Sequence, residues 1–384
     1  MRTTFIPALL VSTFLCVSGF LSVPAVPGSA EDAQPAHPES VVVYNGGPQH
    51  TGVYDSAPVT ELPSVKWKFR IEEGISSPSL VHRGIVYFGD WGGNFYAVDV
   101  ASGKLKWSTR AGASIGGPPT ISGETAYWGS KDGNLYAVDL ETGAVKGRVE
   151  TDGARENKDA SICFPPLIRD GLAYFTSHDK NMYVVDVDSM IVKKRYYAGS
   201  GMCSSPSLLG ELLYISDWGG SVYALDLKTL KTKWRFSAGK NVYHAPAVAG
   251  GFAYFSSHDS CVYAVKAQTG ELMWRFKSDG PISSEPAVMD NTVFFNTAES
   301  HIYALDAKTG KSLWDLKREG KVYSKPAAVK GLVYFGSGDG YLYALDARTG
   351  KERWKFYAGQ QVNYPTTYDG VIFFGSGIYL YALE

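Results

Sequence analysis

The sequence has no surplus of basic charge: 37 lysines and arginines stand against 38 aspartates and glutamates. A chain that grips phosphates ordinarily shows a basic excess, so nucleic acid is excluded as a partner. Cysteine is scarce, at four in 384 residues. No C-x-x-C-H offers attachment to a c-type haem, and no C-x-x-C suggests zinc or thioredoxin chemistry. No H-E-x-x-H occurs, no serine-hydrolase elbow is read, and no two cysteines are adjacent. The expectation is no catalytic residue and no metal ligand. The single long apolar run, Phe5 to Leu21, is broken by Pro7 and is short for the roughly 20 residues of a membrane span.

That run follows Arg2 and precedes Gly28 and Ala30, small residues three and one places before a cut after Ala30. Residues 1–30 are therefore expected to be a signal peptide, with no stable membrane span after cleavage. Leu15 before Cys16 argues against a lipid anchor. Residues 31–60 read as a polar, proline-containing linker and N-terminal extension. The product is expected in the periplasm or secreted. Cys163, Cys203 and Cys261 remain, an odd number, so at least one thiol is left over.

What is abundant is glycine, at 42, and aromatic residues, with 25 Tyr, 18 Phe and 9 Trp. A Tyr-Ala-x-Asp element recurs, with some decay, at 96, 136, 183, 223, 263, 303, 343 and 381. Seven successive intervals of 40, 47, 40, 40, 40, 40 and 38 residues mark eight units. Alternation of period two, with Gly and Pro in every unit, excludes helical repeats. Each unit reads as four strands. In the sixth unit strand A is 283–289, B is 292–296, C is 301–306 and D is 312–316. Residues 61–384 are thus an all-β, eight-bladed propeller of four-stranded blades. The last unit ends before any D strand, and "VKWKF" at 65–69 has nothing before it. The N-terminal strand is expected to complete the last blade and so remove two open edges.

Trp107, Trp234, Trp274, Trp314 and Trp354 each follow position four of the element by eight residues, and Trp67 lies in the orphan strand. Gly147 and Lys194 interrupt the series. These tryptophans are expected to be structural, docking one blade on the next. The motif A-x-D-x-x-(S/T)-G-x-x-x-W, as in "AVDVASGKLKW" at 97–107 and "ALDARTGKERW" at 344–354, resembles that of the PQQ-like, tryptophan-docking eight-bladed propellers. Length and blade count resemble most the propeller subunit of the outer-membrane β-barrel assembly machinery. The resemblance implies two roles. One is a non-catalytic scaffold that binds a protein or a ligand in envelope assembly. The alternative is a small quinoprotein dehydrogenase that oxidises alcohols or sugars with pyrroloquinoline quinone and calcium. Minimal blades and the absence of adjacent cysteines favour the scaffold, with no cofactor.

Strand order places the D–A connections and B–C hairpins on one face, where a protein partner or a small polar ligand is expected to bind a monomer. The candidate residues there are Trp91 and Trp218, outside the docking positions, and Tyr243, His244, Glu285, Lys325 and Tyr364 at the entries to strand A. His178-Asp179 and His258-Asp259 lie too far apart, on blades 3 and 5, to share a metal. Residues 151–161 are the one sizeable insertion on this face. Cys163 and Cys203 precede Pro166 and Pro206 by three residues each, so they match on adjacent blades, and a disulfide between them is left open.

Overall fold

A computed structural model describes residues 41–384 except 157, 245, 283 and 323, so the expected signal peptide lies outside the described residues. Among the described residues there are eight antiparallel four-stranded sheets arranged as blades around an axis. In blade 6 the strands run Ala287–Met289, Thr292–Asn296, His301–Asp306 and Ser312–Lys317. The short A strand is buried and lines the axis, whereas the outer D strand alternates exposed and buried positions. Stacked aromatic pairs span strands B and C, as in Phe88–Tyr96, Phe255–Tyr263 and Phe374–Tyr381, with centroids 5.1, 5.4 and 5.0 Å apart.

The ring closes as the sequence implies. Strand Val65–Arg70 pairs antiparallel with Tyr379–Leu383, in a sheet completed by Val371–Ser376 and Val362–Tyr368. First and last segments share blade 8, so neither leaves an edge strand unpaired.

Six indoles fasten blade to blade. Trp67, Trp107, Trp234, Trp274 and Trp314 donate their N–H to the carbonyls of Val100, Leu140, Ala267, Ala307 and Ala347, at 2.8–3.0 Å. Each ring lies over the C–D turn glycine of the following blade. A Cβ on Gly310, whose φ is +68°, would stand 2.6 Å from Trp274. Only glycine serves there, for both its φ and its missing side chain. Blade 8 has no C–D turn, and Trp354 donates instead to Val59 O at 2.8 Å.

That last bond corrects the linker expected over residues 31–60. Val42 bridges Ile121 of blade 2. The carbonyls of Pro48, Gln49, Thr51 and Gly52 then accept N–H bonds from Leu208, Val248, Val288 and Ala328, in the A strands of blades 4 to 7. The A strands are short and leave inner-edge N–H groups unpaired, and this segment satisfies them. It lies near the A–B turns and floors the axis at that end.

Candidate functional site

The opposite face carries the B–C hairpins. Their aspartates are structural. Asp90, Asp132, Asp179, Asp217, Asp259 and Asp339 each accept a bond from the strand-C tyrosine of the same blade, at 2.5–2.8 Å. Asp179 and Asp259 are therefore occupied. The inner serines are occupied too: Ser76 Oγ donates to Ile115 O at 2.6 Å, and Ser204 Oγ to Ser216 O at 3.3 Å. A G-x-S-x-G spacing does occur, at 112–116, but it joins strand Leu105–Arg110 to strand Thr120–Ser122. Ser114 thus lacks the strand-to-helix turn that exposes a nucleophile.

Along the axis lies a pit of about 130 Å³. His244, Glu285, Lys325 and Tyr364, all expected here, line it together with Phe164 and Ser205. Tyr364 reaches it from a backbone with φ of +54°, within an irregularity of strand Val362–Tyr368 between Asn363 and Thr366. Lys325 and Glu285 form a buried ion pair. Asn45 Nδ2 donates to Glu285 Oε2 at 3.0 Å, and His244 Nδ1 is 3.7 Å from Oε1. Burial pushes the Lys325 ammonium well below its usual range. Burial, and then the Lys325 charge, lower His50 to about 3, so its imidazole is neutral. Tyr44, Asn45 and His50 were missed by sequence reasoning. They belong to the supposed linker and carry no repeat signal.

Trp91 and Trp218 differ. Trp91 is 54% exposed at a hairpin tip, with the Lys131 ammonium 4.8 Å from its ring centre. Trp218 is not a free platform. It packs edge-on against His178 at 4.3 Å and Tyr243 at 5.9 Å, and Tyr243 continues to His258 at 4.5 Å. Tyr243 therefore stands in this aromatic row, beside the pit rather than among the residues lining it.

At the head of the row sit Cys163 and Cys203. Both are free thiols, so the open question of a disulfide resolves here to none. Their sulfurs and a nitrogen of His178 lie within 4.8 Å of one another. Cys163 Sγ is 3.3 Å from His178 Nε2, and His178 Nδ1 is 3.0 Å from Asp159 Oδ2. The hydrogen bond from Cys203 and then the imidazole lower the Cys163 thiol to about 5, against the opposing effect of burial. The same hydrogen bond, with burial, raises Cys203. Burial alone would lower His178, but Cys163 and Asp159 hold it above its ordinary value.

Asp159 comes from the 151–161 insertion. A short helix, Asp152–Arg155, is capped by Thr151 and tied to blade 3 by Tyr183 OH, which accepts from Asp152 N at 3.0 Å. The insertion packs on the hairpins of blades 2 and 3 and supplies nothing to the walls of the pit. The trio had a sequence signal. Cys163 and Cys203 stand one 40-residue period apart, and His178 lies in a hairpin on the same face.

The docked tryptophans, the closing N-terminal strand and the axial pit define a propeller of the tryptophan-docking type. The chain belongs to the family described as outer membrane protein assembly factor BamB, whose model matches residues 59–236, 219–357 and 320–377. No curated protein matches it by sequence. The crystal structure of BamB from Moraxella catarrhalis is similar at a TM-score of 0.71 and 19% identity, covering 84% of this chain and 98% of that one. The computationally designed Ika8 protein gives 0.72 at 15% identity, covering 82% and 97%. Quinohemoprotein alcohol dehydrogenase from Comamonas testosteroni gives 0.73 at 14% identity, covering 88% and 79%. At these identities the likeness to solved structures speaks for the fold alone. Among the described residues no helix is long and apolar enough to cross a membrane.

Proposed function

We propose that this protein is an exported, non-catalytic scaffold whose D–A and B–C face binds a protein partner during assembly of the cell envelope. The observation that carries this reading is the contrast on that face. Its carboxylates are committed to their own hairpins, while Trp91 stands 54% exposed beside a lysine. An exposed indole flanked by a cation is the kind of anchor on which protein interfaces concentrate their energy. Membership in the BamB family supports the same reading.

The alternative is a quinoprotein dehydrogenase, and the residues of the pit do not fit its cofactor. A volume of about 130 Å³ is well under the roughly 300 Å³ at which ligand pockets begin. Lys325 is already neutralised by Glu285 and so is not available to a quinone carboxylate. Cys163 and Cys203 belong to different blades and face His178 rather than the pit.

One experiment separates the two. Immobilised protein is crosslinked to an envelope extract, and the captured chains are identified. Trp91→Ala is expected to lower capture of a specific chain at least tenfold, while Arg83→Ala on the opposite face leaves it unchanged. Equal capture by both variants would sink the scaffold site. In parallel, pyrroloquinoline quinone and calcium are added with a redox dye and alcohols or sugars. Turnover that requires both additions would establish the dehydrogenase instead.

A further inference from the structure

The trio of Cys163, Cys203 and His178 has no part in that scaffold role, and its composition is specific. We infer that Cys163 Sγ, Cys203 Sγ and His178 Nε2 form a three-ligand site for one zinc ion, with Asp159 orienting the histidine.

The donor set argues for a soft or borderline cation. Two thiolates and one imidazole select zinc or copper(I) over calcium, magnesium or manganese, which take oxygen. The spacing agrees. Zinc–sulfur bonds of about 2.3 Å and zinc–nitrogen bonds of about 2.0–2.1 Å in a tetrahedron put neighbouring ligand atoms roughly 3.5–3.8 Å apart. Cys163 Sγ and His178 Nε2 are 3.3 Å apart, and all three atoms lie within 4.8 Å. Small side-chain rotations bring them to a common centre.

The surroundings select zinc's usual support. A metal-bound imidazole almost always gives its second N–H to a carboxylate or carbonyl, which fixes its tautomer and its aim. Asp159 Oδ2 receives that bond from Nδ1 at 3.0 Å. Asp159 is itself held, because its Oδ1 accepts from Ser161 Oγ at 2.9 Å and from Ser161 N at 3.2 Å. The Trp218 ring, 4.3 Å from the imidazole, blocks ring rotation on the other side. Three elements meet here: the D–A connections of blades 3 and 4 and the B–C hairpin of blade 3. Each ligand is partly buried, so the site stays reachable from solvent. Three protein ligands leave a fourth position for water or an incoming donor. The ion would also cross-link blades 3 and 4 at the junction where the docking tryptophan is replaced by Lys194, and it would keep two neighbouring thiols from oxidising to a disulfide.

The test uses the full-length protein, purified without oxygen and stripped of metal. Cobalt(II) is titrated in as a coloured stand-in, and zinc is then added against a chromophoric chelator. One equivalent of cobalt is expected to bind, with sulfur-to-cobalt absorption in the near ultraviolet and tetrahedral bands in the visible, and zinc is expected to displace it. Cys203→Ser and His178→Ala should abolish the tetrahedral spectrum, and Cys261→Ser should leave it unchanged. Asp159→Asn should weaken zinc binding about 10- to 100-fold. Circular dichroism melts of each metal-free variant show whether it remains folded, and Asp159→Asn, which removes no ligand, carries the test if a ligand variant does not. Any of three results overturns the site: no stoichiometric cobalt or zinc, unchanged binding after Asp159→Asn, or binding of copper(I) alone. A Cys163–Cys203 disulfide that persists in protein prepared with zinc and without oxygen would do the same. None of these outcomes bears on the Trp91 interface.

Discussion

Gly147, on the outer strand of blade 2, lies against Met190 in the C–D turn of blade 3, and a Cβ on Gly147 would stand 2.8 Å from Met190 Cγ. At most other junctions the outer strand supplies a tryptophan and the following turn a glycine. Here the large and the small residue have changed places. The next junction has lost both partners: Lys194 replaces the tryptophan, and Leu230 holds the glycine position at φ of +57°. The Lys194 ammonium there donates to Lys228 O. Losses of tryptophan and glycine therefore occur in pairs, because an indole without its glycine has no room.

This pairing predicts a coupled response at blades 2 and 3. Gly147→Trp alone should destabilise the fold by about 1–3 kcal/mol, through overpacking against Met190. Met190→Gly should cost about 2 kcal/mol or more through lost burial. The double variant should be more stable than the sum of these effects by about 0.5–3 kcal/mol. Urea melts of all four proteins measure the coupling, and simple additivity would refute it.

The N-terminal segment should be part of the cooperative unit. Deleting residues 31–40 should leave the melting temperature unchanged. Deleting 41–60 should lower it sharply even though strand Val65–Arg70 is kept, because the inner-edge N–H groups of blades 4 to 7 lose their acceptors. Each buried unsatisfied group costs about 1–3 kcal/mol. Calorimetry of the two truncations decides, and equal melting temperatures would show that the segment is dispensable.

The buried pair of the pit should behave asymmetrically. Glu285→Gln leaves the Lys325 charge without its partner and should cost about 3–5 kcal/mol. Replacing both, as Glu285→Leu with Lys325→Met, should cost much less, since neither charge must then be desolvated. Denaturant titration of the single and double variants tests the difference. A double variant as unstable as the single one would mean that Asn45 and His244 need the carboxylate themselves.

The C–D turns should make the fold acid-sensitive. Asp226 and Asp346 are lowered to about 2, mainly by bonds from the N–H or hydroxyl of Thr229 and Thr349. Asp99, Asp139, Asp186 and Asp306 are lowered by the same kind of turn. A carboxyl whose folded value lies below its unfolded one stabilises fully above the ordinary aspartate range, and it loses that contribution as pH falls through about 2. Stability should therefore be flat above pH 5 and fall steeply between pH 4 and 2. Blade 5 has Lys266 at this position. Lys266→Asp should raise the melting temperature at pH 6 and leave it unchanged at pH 2, and a gain that persists at pH 2 would exclude the turn carboxylate as its source.

Much of this architecture can be read from the chain alone. The 40-residue period and the fixed Asp-to-Trp spacing specify four-stranded blades, because alternation of period two and turn glycines are local properties. The orphan strand at 65–69 could be assigned to the last blade because an eight-unit ring has one vacancy and no tolerance for open edges. His244, Glu285, Lys325 and Tyr364 could be placed on the axis because a repeat puts equivalent positions at equivalent radii. Three things required the tertiary structure. The segment from Val42 to Val59 looks like a linker because its partners lie up to 295 residues away and it shares no period with them. Trp91 and Trp218 look alike in sequence, yet only Trp218 has aromatic neighbours from adjoining hairpins to cover it. Cys163, His178 and Cys203 carry no short motif, since their spacings of 15 and 25 residues reflect the stagger of two blades. Local patterning encodes strands and turns, whereas the meeting of loops from neighbouring blades depends on how those strands are stacked around the axis.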